Sequence, residues 1–255
     1  ILINLFFGVT LNAARGIANQ VDAAIQQFVN NFMTAVNPQI TKCYASGDIE
    51  NMFKLICRGA KFSFFLLLLF AIPVLFETKY ILTLWLKNVP DYTVIFLRLT
   101  IIGSVLNMLG GTGYTACMAT GQIKQYAIWI SSVGVLVFPL SWIAFKSGLP
   151  VESTYIIFII IYIVLEIIRL KIMKNLLKFP PMLFFHEVIL KICIVTPLTL
   201  IMPFISVYFL PESFGRLCLT TAISLVFSCI IVFTLGLSVN EQKAIKNKIQ
   251  KKIST

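Results

Sequence analysis

Seven polar side chains recur at helical spacing near the start of the chain, and their types are suited to binding a polar ligand. They are Asn12, Arg15, Asn19, Asp22, Gln26, Asn30 and Asn37. On a helix that turns about 100° per residue, all seven fall within about 80° of arc, and apolar side chains occupy the opposite face. Amides hydrogen-bond hydroxyls, a guanidinium binds an anion, and a carboxylate binds a proton or a cation. We call these seven residues the polar stripe.

The composition indicates that the helix carrying this stripe belongs to a membrane protein. Of the 255 residues, 58% are apolar and only 12% are charged, whereas about a quarter of the residues in a typical soluble domain are charged. So few charged side chains cannot cover a water-soluble surface. The net charge of +11 is therefore interpreted as membrane topology, because Lys and Arg collect on the cytoplasmic side of spanning helices. We expect no nucleic-acid partner.

Runs of about 20 mainly apolar residues predict the membrane-spanning helices. Residues 1–8 resemble the end of one such helix, and seven full spans follow. These are expected at about 13–36, 60–78, 93–118, 125–146, 154–175, 186–209 and 214–237. Every connector is too short for an independent soluble domain. The predicted fold class is therefore an all-α, polytopic membrane helix bundle.

The distribution of Lys and Arg predicts the orientation of these spans. Fifteen of the 21 cations fall in alternate connectors and in the C-terminal tail. They are Lys42, Lys54, Arg58, Lys61, Lys124, Arg169, Lys171, Lys174, Lys178, Lys191, Lys243, Lys246, Lys248, Lys251 and Lys252. This excess places their side, and the C-terminus with it, in the cytoplasm.

Two cytoplasmic segments are predicted to form surface helices. In the tail, Ser238 and Glu241 fit a capping box, and isoleucines recur every fourth residue between the lysines that follow. These are Ile245, Ile249 and Ile253. Such an apolar edge can lie on the membrane while the lysines meet anionic headgroups. Asp48 can cap a similar segment, 49–61.

The polar stripe has two interpretations. Interhelical hydrogen bonding, with an Arg15–Asp22 pair two turns apart, would need no ligand. Packing between membrane helices needs only one or two polar residues, each worth about 1 kcal/mol. An Arg or Asp at the centre of a membrane helix costs about 2.5–3.5 kcal/mol, so such groups face protein or a water-filled cavity. We therefore expect the stripe to line a cavity, although Arg15, near the outer helix end, could also reach the interface.

The span 93–118 and one later pair contain the remaining candidates. Asn107 shares a face with several small residues and is placed in the cavity. Arg98 projects from the opposite side, and its sequence position fits a functional cation and a cation at the outer interface equally well. Glu166 and Arg169, one turn apart, predict a local ion pair. The sequence contains no Gly-rich phosphate loop, Ser-His-Asp set or metal-ligand cluster, so we expect neither a cofactor nor an enzyme.

Three segments carry a resemblance to a known family. They are Asn12-Ala13-Ala14-Arg15-Gly16-Ile17-Ala18-Asn19-Gln20-Val21, Asn37-Pro38-Gln39-Ile40-Thr41-Lys42 with Tyr44-Ala45-Ser46-Gly47-Asp48, and Thr83-Leu84-Trp85-Leu86 with Val89-Pro90-Asp91-Tyr92 and Ala119-Thr120-Gly121. In these segments the chain resembles bacterial polysaccharide flippases of the O-antigen or capsule type, within the multidrug/oligosaccharidyl-lipid/polysaccharide superfamily.

The resemblance implies the C-terminal lobe of a MATE-like fold, in which two helical lobes enclose a central cavity. Residues 1–175 would form a six-helix lobe with its first helix truncated, residues 176–239 an additional helix pair, and residues 240–255 a basic cytoplasmic tail. It also implies an N-terminal lobe outside this chain. The implied activity is flipping of an undecaprenyl-pyrophosphate-linked oligosaccharide to the outer leaflet of the bacterial cytoplasmic membrane.

The same resemblance suggests roles for the candidate residues. Arg15 and, less directly, Arg98 would bind the pyrophosphate, because a cation in a low-dielectric cavity attracts it strongly. Amide groups would line the sugar path; they belong to Asn12, Asn19, Gln26, Asn30 and Asn107. Asp22 would carry a coupling proton or sodium ion.

Three other functions stay open at the level of sequence. A cation-coupled multidrug exporter or a lipid II flippase would share the fold, although an exporter of cationic drugs should favour acidic cavity groups over Arg15. A membrane glycan polymerase, ligase or acyltransferase would usually need a larger outer loop or a His/Asp constellation. The third is a non-transporting scaffold for glycan assembly.

Overall fold

The fold is described from a computed structural model, which covers residues 2–243 and 246–247. Every regular element in this part of the chain is helical, so the predicted all-α class is confirmed. The helices are α1 (Leu2–Phe7), α2 (Val9–Ala45), α3 (Ile49–Phe76), α4 (Thr78–Leu86), α5 (Thr93–Asn107), α6 (Gly111–Ala119), α7 (Ile123–Val135), α8 (Val137–Lys146), α9 (Ser153–Leu177), α10 (Pro181–Phe184), α11 (Leu190–Phe209) and α12 (Phe214–Ile231). A 3₁₀ turn (Met108–Gly110) precedes α6, and π-helical turns (Phe185–Ile189, Val232–Gly236) precede α11 and follow α12.

Five helical stretches in the described residues are long and apolar enough to cross a membrane. They are Ile49–Phe76, Thr93–Ala119, Ile123–Lys146, Pro181–Phe209 and Phe214–Gly236. Large apolar side chains such as Trp129, Phe204 and Tyr208 are exposed on their outer surfaces, where they suit contact with lipid. This is consistent with a multi-pass membrane protein. The other two predicted spans, 13–36 and 154–175, are also helical but are not among these five.

The junction between α2 and α3 differs from its prediction. Asp48 does cap α3, since its side chain accepts a hydrogen bond from the Asn51 backbone N–H at 3.3 Å. The expected separate surface segment, 49–61, is wrong, because α3 continues unbroken to Phe76. Its first turns bury Met52 and Ile56 in the core, and this packing holds the segment in the bundle.

Two predicted spans contain breaks that the hydropathy pattern does not reveal. The span 93–118 changes to a 3₁₀ turn at Met108–Gly110, next to the glycines against which Arg169 packs. The span 125–146 divides at Leu136, between α7 and α8. Pro139 lies in the first turn of α8, where its missing N–H removes a backbone hydrogen bond and favours a helix start.

Helix α2 packs one face into the bundle and leaves another exposed. It packs against α3, α5 and α6, while α9 packs against α5, α7 and α8. The small side chains of Ala14 and Ala18 are fully buried on α2, and small residues allow membrane helices to approach closely. Helices α11 and α12 pack against each other and against α3. The polar stripe therefore borders α5 and α9.

Candidate functional site

A cleft of about 290 Å³ lies between α2, α5 and α9, and we call it the polar cleft. It is lined by Arg15, Asn19, Asp22, Gln26, Leu99, Thr100, Gly103, Ser104, Asn107, Tyr155, Phe158 and Tyr162. Four of the seven stripe residues thus face one space, together with Asn107 from α5. The aromatic rings from α9 give this otherwise polar space an amphipathic wall.

Asp22 is held by a hydrogen-bond network at the base of this cleft. Its Oδ2 accepts hydrogen bonds from Gln26 Nε2 at 2.6 Å and from Ser104 Oγ at 2.8 Å. Gln26 also donates to Ser104 Oγ at 3.1 Å, so α2 and α5 are joined through three side chains. The Arg15–Asp22 pair considered from the sequence is wrong, because Asp22 bonds to Ser104 instead. The carboxylate is only 7% exposed.

A second cleft, of about 410 Å³, follows along α2 toward its C-terminal end, and we call it the Arg169 cleft. Asn30 and Asn37 line it from the polar stripe, and Arg169 lines it from α9. Asn107 lines both clefts. The stripe is therefore continuous past two adjoining polar spaces.

Arg169 is buried in the wall of the second cleft. It forms the predicted ion pair with Glu166, which is confirmed, and its Nε donates to the Tyr126 hydroxyl at 2.9 Å. The guanidinium lies against Gly110, where an added Cβ would overlap Nη1. Sequence reasoning did not find the Tyr126 contact; the glycines of the 93–118 span were the available signal that a side chain packs closely there.

Two sequence-predicted residues lie outside these clefts. Arg98 is exposed, and its Nε donates to the backbone oxygen of Leu75 at 3.1 Å and to Thr78 Oγ1 at 3.3 Å. Leu75 lies near the C-terminus of α3, where backbone carbonyls lack an intrahelical partner. Asn12 is exposed on α2 and lines neither the polar cleft nor the Arg169 cleft.

The polar cleft and the Arg169 cleft are both lined by polar and charged side chains. Within residues 2–243 and 246–247, no three His, Cys, Asp or Glu side chains are grouped so that they could hold a metal ion. No family model, curated protein or solved structure matches the chain.

Proposed function

We propose that this chain is part of a transporter that moves a lipid-linked oligosaccharide from the cytoplasmic to the outer leaflet of a bacterial cytoplasmic membrane. The proposal takes the fold as the C-terminal lobe of a MATE-like flippase with seven spans, in which α2 and α9 also cross the bilayer. The single observation that carries it is the polar cleft, which combines amides, a cation and a carboxylate inside an apolar helix bundle.

The residues of the cleft match the parts of such a substrate. Arg15 supplies a fixed positive charge for a pyrophosphate, and a guanidinium can bind phosphate oxygens in a bidentate manner. Asn19 and Gln26 offer donors and acceptors to sugar hydroxyls. Asp22, held between two helices, is the group that we assign to a coupling proton or sodium ion, because a change of its charge would alter the contact with Ser104.

A second face of α2 is exposed and polar, which favours contact with a partner lobe. Gly16, Gln20, Ala23, Gln27, Asn31 and Thr34 are all exposed. They fall within about 80° of arc on α2, adjacent to the polar stripe. Their amides would lose hydrogen bonds against hydrocarbon. In the proposed transporter, this face borders the central cavity and the N-terminal lobe.

The test compares Asn19→Leu, which places an apolar side chain in the polar cleft, with Asn12→Leu on the same helix. A gene that encodes each variant replaces the original gene in the bacterium that produces the protein. Surface polysaccharide is then measured at equal membrane levels of the protein. We expect Asn19→Leu and Arg15→Ala to reduce the surface polysaccharide at least about tenfold, the effect of losing one hydrogen bond to a charged or buried group. Asn12→Leu should retain it.

Two results would contradict the proposal. Normal polysaccharide in Asn19→Leu at normal protein levels would exclude the polar cleft from transport. A gene deletion that raises drug susceptibility and leaves the surface polysaccharide intact would instead indicate a multidrug exporter.

A further inference from the structure

A third cleft, of about 360 Å³, lies on the other side of Arg15, between α1, α2, the α7–α8 junction and α9. We call it the apolar cleft, because its walls include Ile3, Val135, Phe138 and Phe158. Val135 is 67% exposed and Phe138 is 56% exposed. The α7–α8 wall therefore opens to the surface of the bundle, where a hydrocarbon chain can enter from the bilayer.

Arg15 joins the apolar cleft to the polar cleft. Arg15 and Phe158 line both spaces. In the described part of the chain, no carboxylate oxygen lies within 4.0 Å of its guanidinium, since the ion pairs there involve other cations. A cation without a counter-charge, placed between an apolar and a polar space, is complementary to an anionic amphiphile.

Unpaired hydroxyls provide an independent indication of a ligand. Ser141 and Thr154 line the apolar cleft, and the hydroxyl oxygen of each is buried without a hydrogen-bond partner among the described residues. Ser141 is 1% exposed and Thr154 is 7% exposed. An unsatisfied buried hydroxyl costs about 1–3 kcal/mol, so such groups usually have a partner. Phosphate oxygens accept hydrogen bonds and would supply one to each hydroxyl.

We propose that the apolar cleft binds the hydrocarbon chain of a lipid phosphate, whose phosphate group contacts Arg15 and the hydroxyls of Ser141 and Thr154. The headgroup beyond the phosphate then extends into the polar cleft. For the identity of the natural lipid as a glycan carrier, this inference rests on the proposed function. The binding itself depends only on the phosphate contacts with Arg15, Ser141 and Thr154 and on the space of the apolar cleft, which Gly134 also lines.

The experiment measures binding of farnesyl phosphate to the purified chain in detergent micelles. Farnesol tests the hydrocarbon chain without charge, and inorganic phosphate tests the charge without the chain. We expect farnesyl phosphate to bind at least about tenfold more tightly than either, because the charged hydrogen bonds and the apolar contacts act together. Equal binding of farnesol and farnesyl phosphate would overturn the phosphate contact.

A substitution that fills the apolar cleft tests the proposal most directly. Gly134 lines the apolar cleft, and a Cβ added there meets no atom within 4 Å, so Gly134→Leu adds an apolar side chain to the cleft wall without a clash at Cβ. Gly215→Leu on α12 is the control, since Gly215 is also helical but is exposed and lies outside the apolar cleft. We expect Gly134→Leu to weaken farnesyl phosphate binding at least about tenfold and Gly215→Leu to leave it unchanged.

A second variant covers the case in which Gly134→Leu misfolds. Thr154→Val removes one hydroxyl at nearly constant volume and should weaken farnesyl phosphate binding but not farnesol binding. Farnesyl phosphate binding that survives both substitutions overturns the inference, whatever the transport result. A different result is that farnesyl phosphate binds as expected while the Asn19→Leu variant exports polysaccharide normally. That result supports the lipid-phosphate site in the apolar cleft and contradicts the proposed function.

Discussion

Arg169 occupies a space that exists only because two residues of the facing helices lack side chains. Its Nη1 would overlap a Cβ on Gly110, and its Cδ would lie 3.1 Å from one on Gly113. The guanidinium is paired with Glu166 and with the Tyr126 hydroxyl. The two glycines therefore determine whether a charged group can be buried here with its partners.

Gly110→Ala should destabilise the protein by about 1–3 kcal/mol, because the added methyl group displaces the guanidinium from Tyr126 and overpacks the site. Gly111→Ala is the control, since its Cβ would lie 3.4 Å from Met33 Cε, an ordinary contact. Thermal unfolding in detergent micelles measures both. Equal melting temperatures for Gly110→Ala and the unaltered protein would contradict the assigned role of Gly110.

Sequence reasoning predicted residue positions well where the helical period alone determines them. Asn19, Asp22 and Gln26 share the polar cleft because they lie on one arc of α2. The partners Ser104 and Tyr126 could not be predicted, because they depend on which helices face each other. Arg98 was ambiguous for the same reason: its acceptor, the Leu75 carbonyl, belongs to the end of another helix.

At the scale of elements, a buried ion pair joins the α3–α4 junction to α12. Arg216 donates from Nε and Nη2 to the two carboxylate oxygens of Glu77, at 2.9 and 2.8 Å. Its Nη1 donates to the Leu210 carbonyl at 3.1 Å. Both side chains are almost fully buried, so their hydrogen bonds are made to each other and to the Leu210 carbonyl and not to water.

Removing one member of this pair should cost about 3–5 kcal/mol, because the other charge is left buried without a partner. We expect this loss for Glu77→Leu and for Arg216→Met, and a smaller loss for the double variant than for the two single changes combined. A double-mutant cycle of thermal unfolding measures the coupling. Additive losses would contradict it.

A second ion pair between the same regions provides the control. Lys79 Nζ and Glu212 Oε1 are 3.8 Å apart, and both side chains are at least half exposed. Exposed pairs contribute little, so Lys79→Met should shift the unfolding free energy by less than about 1 kcal/mol.

The positions of the apolar helices could be predicted, and Pro139 marks the break between α7 and α8, but the interruption at Met108–Gly110 could not be predicted. Apolar runs of about 20 residues indicate where a helix lies regardless of its neighbours. The 3₁₀ turn at Met108–Gly110 adjoins the packed side chain of Arg169 from α9. Such a break depends on tertiary contact. The capping box was predicted because its signal is local: Ser238 N–H donates to Glu241 Oε2 at 2.8 Å, which confirms it.

At the scale of the whole molecule, Glu241 attaches the start of the C-terminal tail to α3. It accepts from Lys61 Nζ at 2.7 Å, and Arg58 Nε lies 3.3 Å from its other oxygen. Glu241, Lys61 and Arg58 line a cleft of about 230 Å³, together with Lys54 and Glu187. The expected isoleucine edge at Ile245, Ile249 and Ile253 lies outside the described residues.

The pH dependence of stability should reveal this attachment. Burial acts to raise the pKa of Glu241, but hydrogen bonds from Lys61 and the Ser238 N–H outweigh it and hold the pKa below the ordinary 4.5. A lowered carboxyl pKa stabilises the folded state above pH 4.5, and this contribution is lost as the pH falls through the folded-state pKa. Glu241→Gln should cost about 3 kcal/mol at pH 7.

Thermal unfolding of the unaltered protein and Glu241→Gln, compared between pH 7 and pH 3.5, measures this contribution. The difference between them should be constant down to about pH 5 and should shrink below it. A difference that does not change over this range would show that the Glu241 carboxylate is not held by its cationic partners.

The orientation of the chain in the membrane is a separate prediction from the Lys and Arg distribution. We expect a fluorescent protein fused after Thr255 to fluoresce in the cytoplasm. Alkaline phosphatase fused after Asn88 or Glu212 should be active outside it, because these connectors alternate with the basic ones. Phosphatase activity at the C-terminus would reverse the assigned orientation.

The polarity of α2 has a consequence for how the protein is made. Asp22 and Arg15, with the amides on two faces of this helix, leave it outside the five stretches apolar enough to cross a membrane by themselves. Transfer of such a segment from the insertion machinery into lipid is unfavourable for an isolated helix. Helix α3, which is apolar and packs along α2, follows it immediately during synthesis. We expect the two helices to leave the translocon together as a hairpin. A defect in α3 would therefore also prevent α2 from entering the membrane.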